Sequence, residues 1–279
     1  MQTVLRIVFI SLSIAISLLF SSCSNQSKTD QNHVETTLDS VAALAFRYPD
    51  SIPLQLQWHT QNIQGENAKI AVEALNTLHK LYPERTDILN ILSKGYLQLT
   101  DSIGAIMTMQ KSLALDINQP DQEADLCYLF AVRGDLMAIP IADRLIKTAL
   151  DNVQTARAHY LKGIFYSNVG FDDRALAEFD SSIISNFTFI DAYIEKSIIL
   201  FEQKKYKEAI ALLNKARELD KLNAEIYFLL AKNHDATANK KEAIFFYEQT
   251  LMLDTSYPTA KKALSRLKNN KEQNLTIQN

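Results

Sequence analysis

An all-α array of stacked helix pairs is the fold this sequence predicts, and three observations carry the prediction. Ala175, Ala209 and Ala243 lie 34 residues apart, each inside the same pattern (RALAEF, EAIALL, EAIFFY). Leu219-Asp220 and Leu253-Asp254 keep that step, as do Tyr48-Pro49 and Tyr82-Pro83. A fixed period of this length marks copies of one supersecondary unit, each burying its apolar face against the next. Second, Gly and Pro number only six each in 279 residues, too few for a turn-rich β architecture. Third, the apolar residues between breaks recur at helical spacing over segments of about 12–15 residues. Helices that short are marginal alone, so stability must come from stacking.

Bulk properties narrow the function. Hydrophobic residues make up 47% of the chain, enough for one or two cores. Net charge is −3, and no basic face or stripe of the kind a nucleic-acid binder needs is present.

Taken in order, the chain begins with Arg6 and an apolar run at 7–20, IVFISLSIAISLLF. As a helix that run would be roughly 21 Å long, short of the ~30 Å hydrocarbon core, which fits a signal peptide better than a membrane span. The following LFSSC at 19–23 resembles the lipobox of bacterial lipoproteins, although Phe20 stands where that family usually has Leu. The resemblance implies a signal peptide at 1–22, and a lipidated Cys23 carrying a diacylglyceryl group and an amide-linked acyl chain such as palmitate. Three long chains would anchor durably where one myristoyl chain does not. Cleavage there removes Arg6 and no acid, taking the net charge from −3 to −4. The polar stretch SNQSKTDQN completes a flexible tether over 23–33. Cys127, inside LCYLFA, is expected to be a small buried hydrophobe rather than a nucleophile.

The 34-residue unit resembles the tetratricopeptide repeat, a pair of antiparallel helices A and B. That family places bulky residues at positions 4, 7, 11 and 24 and small ones at 8, 20 and 27. With Ala209 at position 20, the unit 190–223 supplies Tyr193, Ser197, Leu200, Leu213 and Ala216, with Lys196 departing at position 7. Unit 224–257 supplies Tyr227, Leu230, Ala231, His234 and Tyr247, with Thr250 at position 27. Unit 156–189 has Gly163, Tyr166, Ala175 and Phe179, with Gly170 in the turn. Unit 86–119 has Leu89, Leu92, Ser93, Tyr96, Ala105 and Ser112. Small residues at 8 and 20 let the two helices approach closely.

The rest is less regular. A helix is expected at 34–48 as a cap, then a weak helix A near 54–64 and a helix B at 68–81. Ala105 to Ala175 is 70 residues, two periods plus two, so one repeat of altered length lies between. Its helix A is expected at 122–133 and its helix B from Pro140, with Ala142 and Ala149 at the small positions. A capping helix opens at Pro258, and 268–279 is expected to be disordered. The resemblance thus implies a right-handed solenoid of about six repeats with terminal caps over 34–267.

In this family helix A lines the binding groove, through positions 2, 5, 9, 12 and 13. The resemblance therefore implies a partner-binding stripe of Tyr160, Ile164, Ile194, Ile198, Phe201, Phe228 and Lys232, with Arg157, Asp191 and Glu225 among the charges at its edge. Such a stripe suits an extended or helical peptide. The alternative is that these side chains only pack against neighbouring helices. Lys and Asn do not recur at positions 5, 6 and 9, so the basic clamp some members use for acidic peptide C-termini is absent.

Catalytic patterns are missing. His33, His59, His79, His159 and His234 are scattered without metal-ligand spacing, and no Gly-rich phosphate loop occurs. Asp172-Asp173 falls where acids cap a helix. The expectation is a non-enzymatic adaptor without cofactor or metal. It would be lipid-anchored in the bacterial envelope, at the outer membrane facing the periplasm, and bind a protein or peptide partner. The alternative is a surface glycan-binding lipoprotein using the repeats as scaffold. A single Trp and the lack of long inter-helix insertions argue against it.

Overall fold

The computed structural model describes residues 43–276, except 46 and 49. The expected signal peptide, Cys23 and its tether, and most of the expected cap at 34–48 lie outside the described residues. The described chain divides into two compact units, one ending at Gln122 and one beginning at Glu123. No strand occurs among the described residues.

Residues 43–45 and 47 are helical, and from Ile52 onward thirteen α-helices form six consecutive pairs and a terminal helix. The first unit holds α1 (Ile52–Asn62), α2 (Ala68–Leu81), α3 (Thr86–Gln98) and α4 (Ser102–Leu115), with α5 (Pro120–Val132) beginning at its end. The second holds α6 (Ala138–Thr148), α7 (Asn152–Asn168), α8 (Asp172–Ser185), α9 (Ile190–Glu202), α10 (Tyr206–Leu219), α11 (Ala224–Ala236), α12 (Lys240–Leu253) and α13 (Pro258–Thr276).

The five A-to-B turns from α3 onward close in the same way. The second residue after the helix takes a left-handed conformation, at Thr100 (φ 58°), Gly134 (64°), Gly170 (78°), Lys204 (60°) and Ala238 (58°). The next amide then donates back to a carbonyl five residues earlier, as in Asp101 to Tyr96 (2.8 Å), Phe171 to Tyr166 (2.8 Å) and Asn239 to His234 (2.9 Å). This is the Schellman closure, which satisfies carbonyls orphaned at a helix end. The B-to-A turns repeat too. Asp220 Oδ1 accepts from the Leu222 amide at 3.0 Å and Asp254 Oδ1 from Ser256 at 2.8 Å, which is the physical content of the Leu-Asp step.

The turns locate the irregularity. Thr100, Gly134, Gly170, Lys204 and Ala238 are spaced 34, 36, 34 and 34, so the two extra residues lie between Gly134 and Gly170. There α6 has only 11 residues, while α7 has 17 and starts before the expected 156. Ala142 is fully buried, as its small position requires, but Ala149 is the residue that ends the helix. The helix B expected from Pro140 starts instead at Ala138. Pro140 is tolerated there because the first-turn amides have no intrahelical acceptor to lose.

Packing follows the small residues. Ala105, Ala175, Ala209 and Ala243 are each fully buried. A Cβ at Gly163 would lie 2.4 Å from the Phe179 ring, so only glycine permits that approach of α7 and α8. The first unit's core gathers Leu56, Leu75, Ile88 and Leu92, and the second's C-terminal core gathers Leu213, Ile226, Leu230 and Tyr247. Position-4 tyrosines tie back to the preceding turn, Tyr193 to the Phe187 carbonyl and Tyr227 to the Lys221 carbonyl, both at 3.0 Å. The terminal helix buries Ala260 and Leu267. It continues to Thr276, where disorder was expected from 268, because its polar residues include no Gly or Pro to stop it.

Candidate functional site

Within the second unit, α9 touches both α7 and α11, so the A helices of three successive pairs lie side by side. Their common face carries the expected stripe, and the structure divides it. Ile164 and Ile194 are buried at 6% exposure each, Ile194 in the C-terminal core, and serve packing. Tyr160, Ile198, Phe201, Phe228 and Lys232 remain partly accessible.

Contacts within the chain hold the accessible residues in place. The Tyr160 ring lies 5.3 Å from Phe189 and 5.9 Å from Phe179. Phe228 stacks against Tyr257 at 4.8 Å and Tyr247 at 6.0 Å. Phe201 meets Tyr206 at 5.3 Å, and the Lys232 ammonium sits over its ring at 4.4 Å from the centroid. Offset and edge-on aromatic contacts of this kind give rigid surfaces that lose little entropy when covered.

The face is acidic. Burial raises the Glu195 pKa above the usual carboxylate range, and the charges of Glu225 and Asp191 raise it further. Burial likewise pushes the Tyr160 phenol up, reinforced by Glu195, Asp191, Tyr128 and Glu225. Glu195 and Tyr128 were not singled out from the sequence. Glu195 sits one place after a recognised groove position, and Tyr128 lies on α5 in the repeat of altered length, where position numbering fails.

Remaining candidates have structural roles. Cys127 is fully buried, its Sγ lies 3.3 Å from the Ala138 carbonyl, and burial raises its pKa to about 12. His159 bonds Glu178 at 2.7 Å, and Lys162 joins both Glu178 and Asp143 at 3.0 Å, tying α6, α7 and α8 together. His234 stacks on Phe246 at 5.5 Å, and Asp172 and Asp173 occupy the first turn of α8, where carboxylates favour the helix dipole. Among the described residues no group of His, Cys, Asp and Glu is arranged to hold a metal, and no helix is long and apolar enough to cross a membrane.

Known proteins match this architecture. The tetratricopeptide repeat profile matches residues 200–267. No curated protein sequence matches the chain. Among solved structures, a tetratricopeptide repeat protein from Parabacteroides merdae superposes with a TM-score of 0.69 at 16% identity, over 85% of this chain and 93% of that one. PilW, a type IV pilus biogenesis factor, superposes at 0.63 and 16% identity over 76% and 97%. Yeast Tom70 does so at 0.62 and 16% over 79% of this chain but only 47% of its own. At these identities the likeness is one of fold.

Proposed function

We propose that this chain, which has the fold of a tetratricopeptide repeat solenoid and matches that repeat's profile over residues 200–267, is a lipid-anchored adaptor of the bacterial envelope, a scaffold suited to protein–protein interaction. It holds a segment of a protein partner on the common face of α7, α9 and α11. The observation that carries this reading is the row of partly exposed residues Tyr160, Ile198, Phe201 and Phe228 on three aligned helices, each held by contacts within the chain. Rigid aromatic anchors of this kind supply most of the affinity in peptide recognition. Site-specific photocrosslinking in cells tests it. A crosslinker at Ile198 or Phe228 is expected to capture a partner that one at Ile184, 84% exposed on α8, does not. Phe201→Glu with Phe228→Glu should abolish the capture. Retention of every partner by that variant, still folded, refutes the groove.

The anchor rests on Arg6, the apolar run at 7–20 and the LFSSC motif ending in Cys23. Placement at the outer membrane, facing the periplasm, belongs to the same reading. Cys23→Ala should lose acyl labelling and move the protein out of the membrane fraction; unchanged fractionation sinks the anchor.

A further inference from the structure

The three aligned helices carry four basic side chains: Arg157 and Lys162 on α7, Lys196 on α9 and Lys232 on α11. All four are engaged within the chain. Arg157 Nη2 lies 2.7 Å from Asp125, Lys162 holds Asp143 and Glu178, Lys196 holds Asp180, and Lys232 covers the Phe201 ring. Of the acids on α9 and α11, Asp235 is paired with Arg266, but three others are not matched in this way. Asp191, Glu195 and Glu225 form no ion pair among the described residues, and Glu195 is partly buried.

These carboxylates share α9 and α11 with the partly exposed Ile198, Phe201 and Phe228. Glu195 is flanked by Ile194 and Lys196 on α9, one turn before Ile198, and Glu225 lies one turn before Phe228. Asp191, Glu195 and Glu225 all act on the Tyr160 hydroxyl, and Glu225 acts on Tyr257 as well. These helices already receive one cation of the chain itself, since Lys232 is seated on an aromatic ring. A partly buried carboxylate facing two like charges is unfavourable until a cation arrives, and aromatic faces add to the attraction for one.

Resting on the groove reading above, we infer that the partner segment is basic. It is an extended or helical protein stretch that places Lys or Arg against Asp191, Glu195 and Glu225 and apolar residues on Ile198, Phe201 and Phe228. The charge on this face selects against the acidic peptide tails that a basic clamp would take.

Fluorescence anisotropy with the intact protein in non-ionic detergent tests the inference. The probes are two labelled peptides, one of three Leu-Lys-Phe-Arg units and one of three Leu-Glu-Phe-Asp units. The basic peptide is expected to bind at least about tenfold more tightly, with affinity falling as salt rises. Glu195→Gln with Glu225→Gln should weaken it about tenfold. Glu208→Gln with Glu218→Gln, both exposed on α10, should leave it unchanged. Equal weakening by the α10 pair would mean diffuse attraction and overturn the inference. An acidic peptide that binds as well, and is lost with Ile198→Ala plus Phe201→Ala, would overturn the charge assignment while leaving the groove intact. Binding of neither peptide also overturns it, and basic-peptide binding that neither groove variant alters sinks both readings. The glutamine variants preserve side-chain shape, so they carry the test even if the alanine pair fails to fold.

Discussion

The left-handed turns make opposite predictions at two equivalent positions. Ala238 and Gly170 both follow an A helix with φ of 58° and 78°, and the amide after each closes the turn. An L-residue in this conformation costs about 1–2 kcal/mol, whereas glycine pays roughly 0.5–1 kcal/mol of extra backbone entropy on folding. The difference predicts that Ala238→Gly stabilises by about 0.5–1 kcal/mol and that Gly170→Ala destabilises by a similar amount. A Cβ at Gly170 would meet nothing within 4 Å, so its cost is one of backbone alone, with no packing to confound it. Repeat arrays need not unfold in one step. Amide exchange of Asn239 and Phe171, which donate the closing bonds, should therefore be followed beside the urea unfolding curve. Protection of Asn239 should rise in Ala238→Gly, and that of Phe171 should fall in Gly170→Ala. A destabilising Ala238→Gly would refute the argument that this turn holds its alanine under strain.

Three further outcomes follow from packing and burial. Gly163→Ala should destabilise by about 1–3 kcal/mol, because the new methyl overlaps the fully buried Phe179 ring; a neutral melting temperature would show that the ring can move. Burial lowers the His59 pKa from 6.5 to about 4, so the unfolded chain takes up a proton that the fold refuses. Stability should then fall as pH drops from 6.5 towards about 4, by about 3 kcal/mol, and His59→Leu should flatten that slope in pH-dependent melting. Tyr227→Phe removes the bond to the Lys221 carbonyl and should cost about 0.5–1.5 kcal/mol in urea unfolding; a larger loss would mean the ring's packing had also changed.

Much of the fold is legible in the sequence because a repeat writes the same local problem several times. Ala175, Ala209 and Ala243 announce the close approach of paired helices, and each is fully buried. The Leu-Asp step announces the B-to-A turn, where the aspartate accepts from an amide two residues on. The irregular repeat is visible only as two surplus residues between Ala105 and Ala175. Its sequence does not show where α6 begins, because Pro140 reads as a helix start although it fits the first turn equally well. Of the expected stripe, Ile164 and Ile194 are covered while Ile198 and Phe228 stay accessible, although all are large and apolar. Glu195 carries no local signal, because its raised pKa comes from burial and then from the charges of Glu225, 30 positions away, and Asp191.

Periodicity by itself therefore determined the class of fold, the six pairs and the positions of the turns. Each is governed by residues close together in the chain and by the size of one side chain at a contact. Tertiary structure alone decided which groove positions are open, where the two surplus residues are absorbed, and that Glu195 joins Asp191 and Glu225 beside Tyr160. Accessibility and electrostatic environment depend on whatever the neighbouring repeat places opposite each residue, about 34 positions away, and no local pattern encodes that distance.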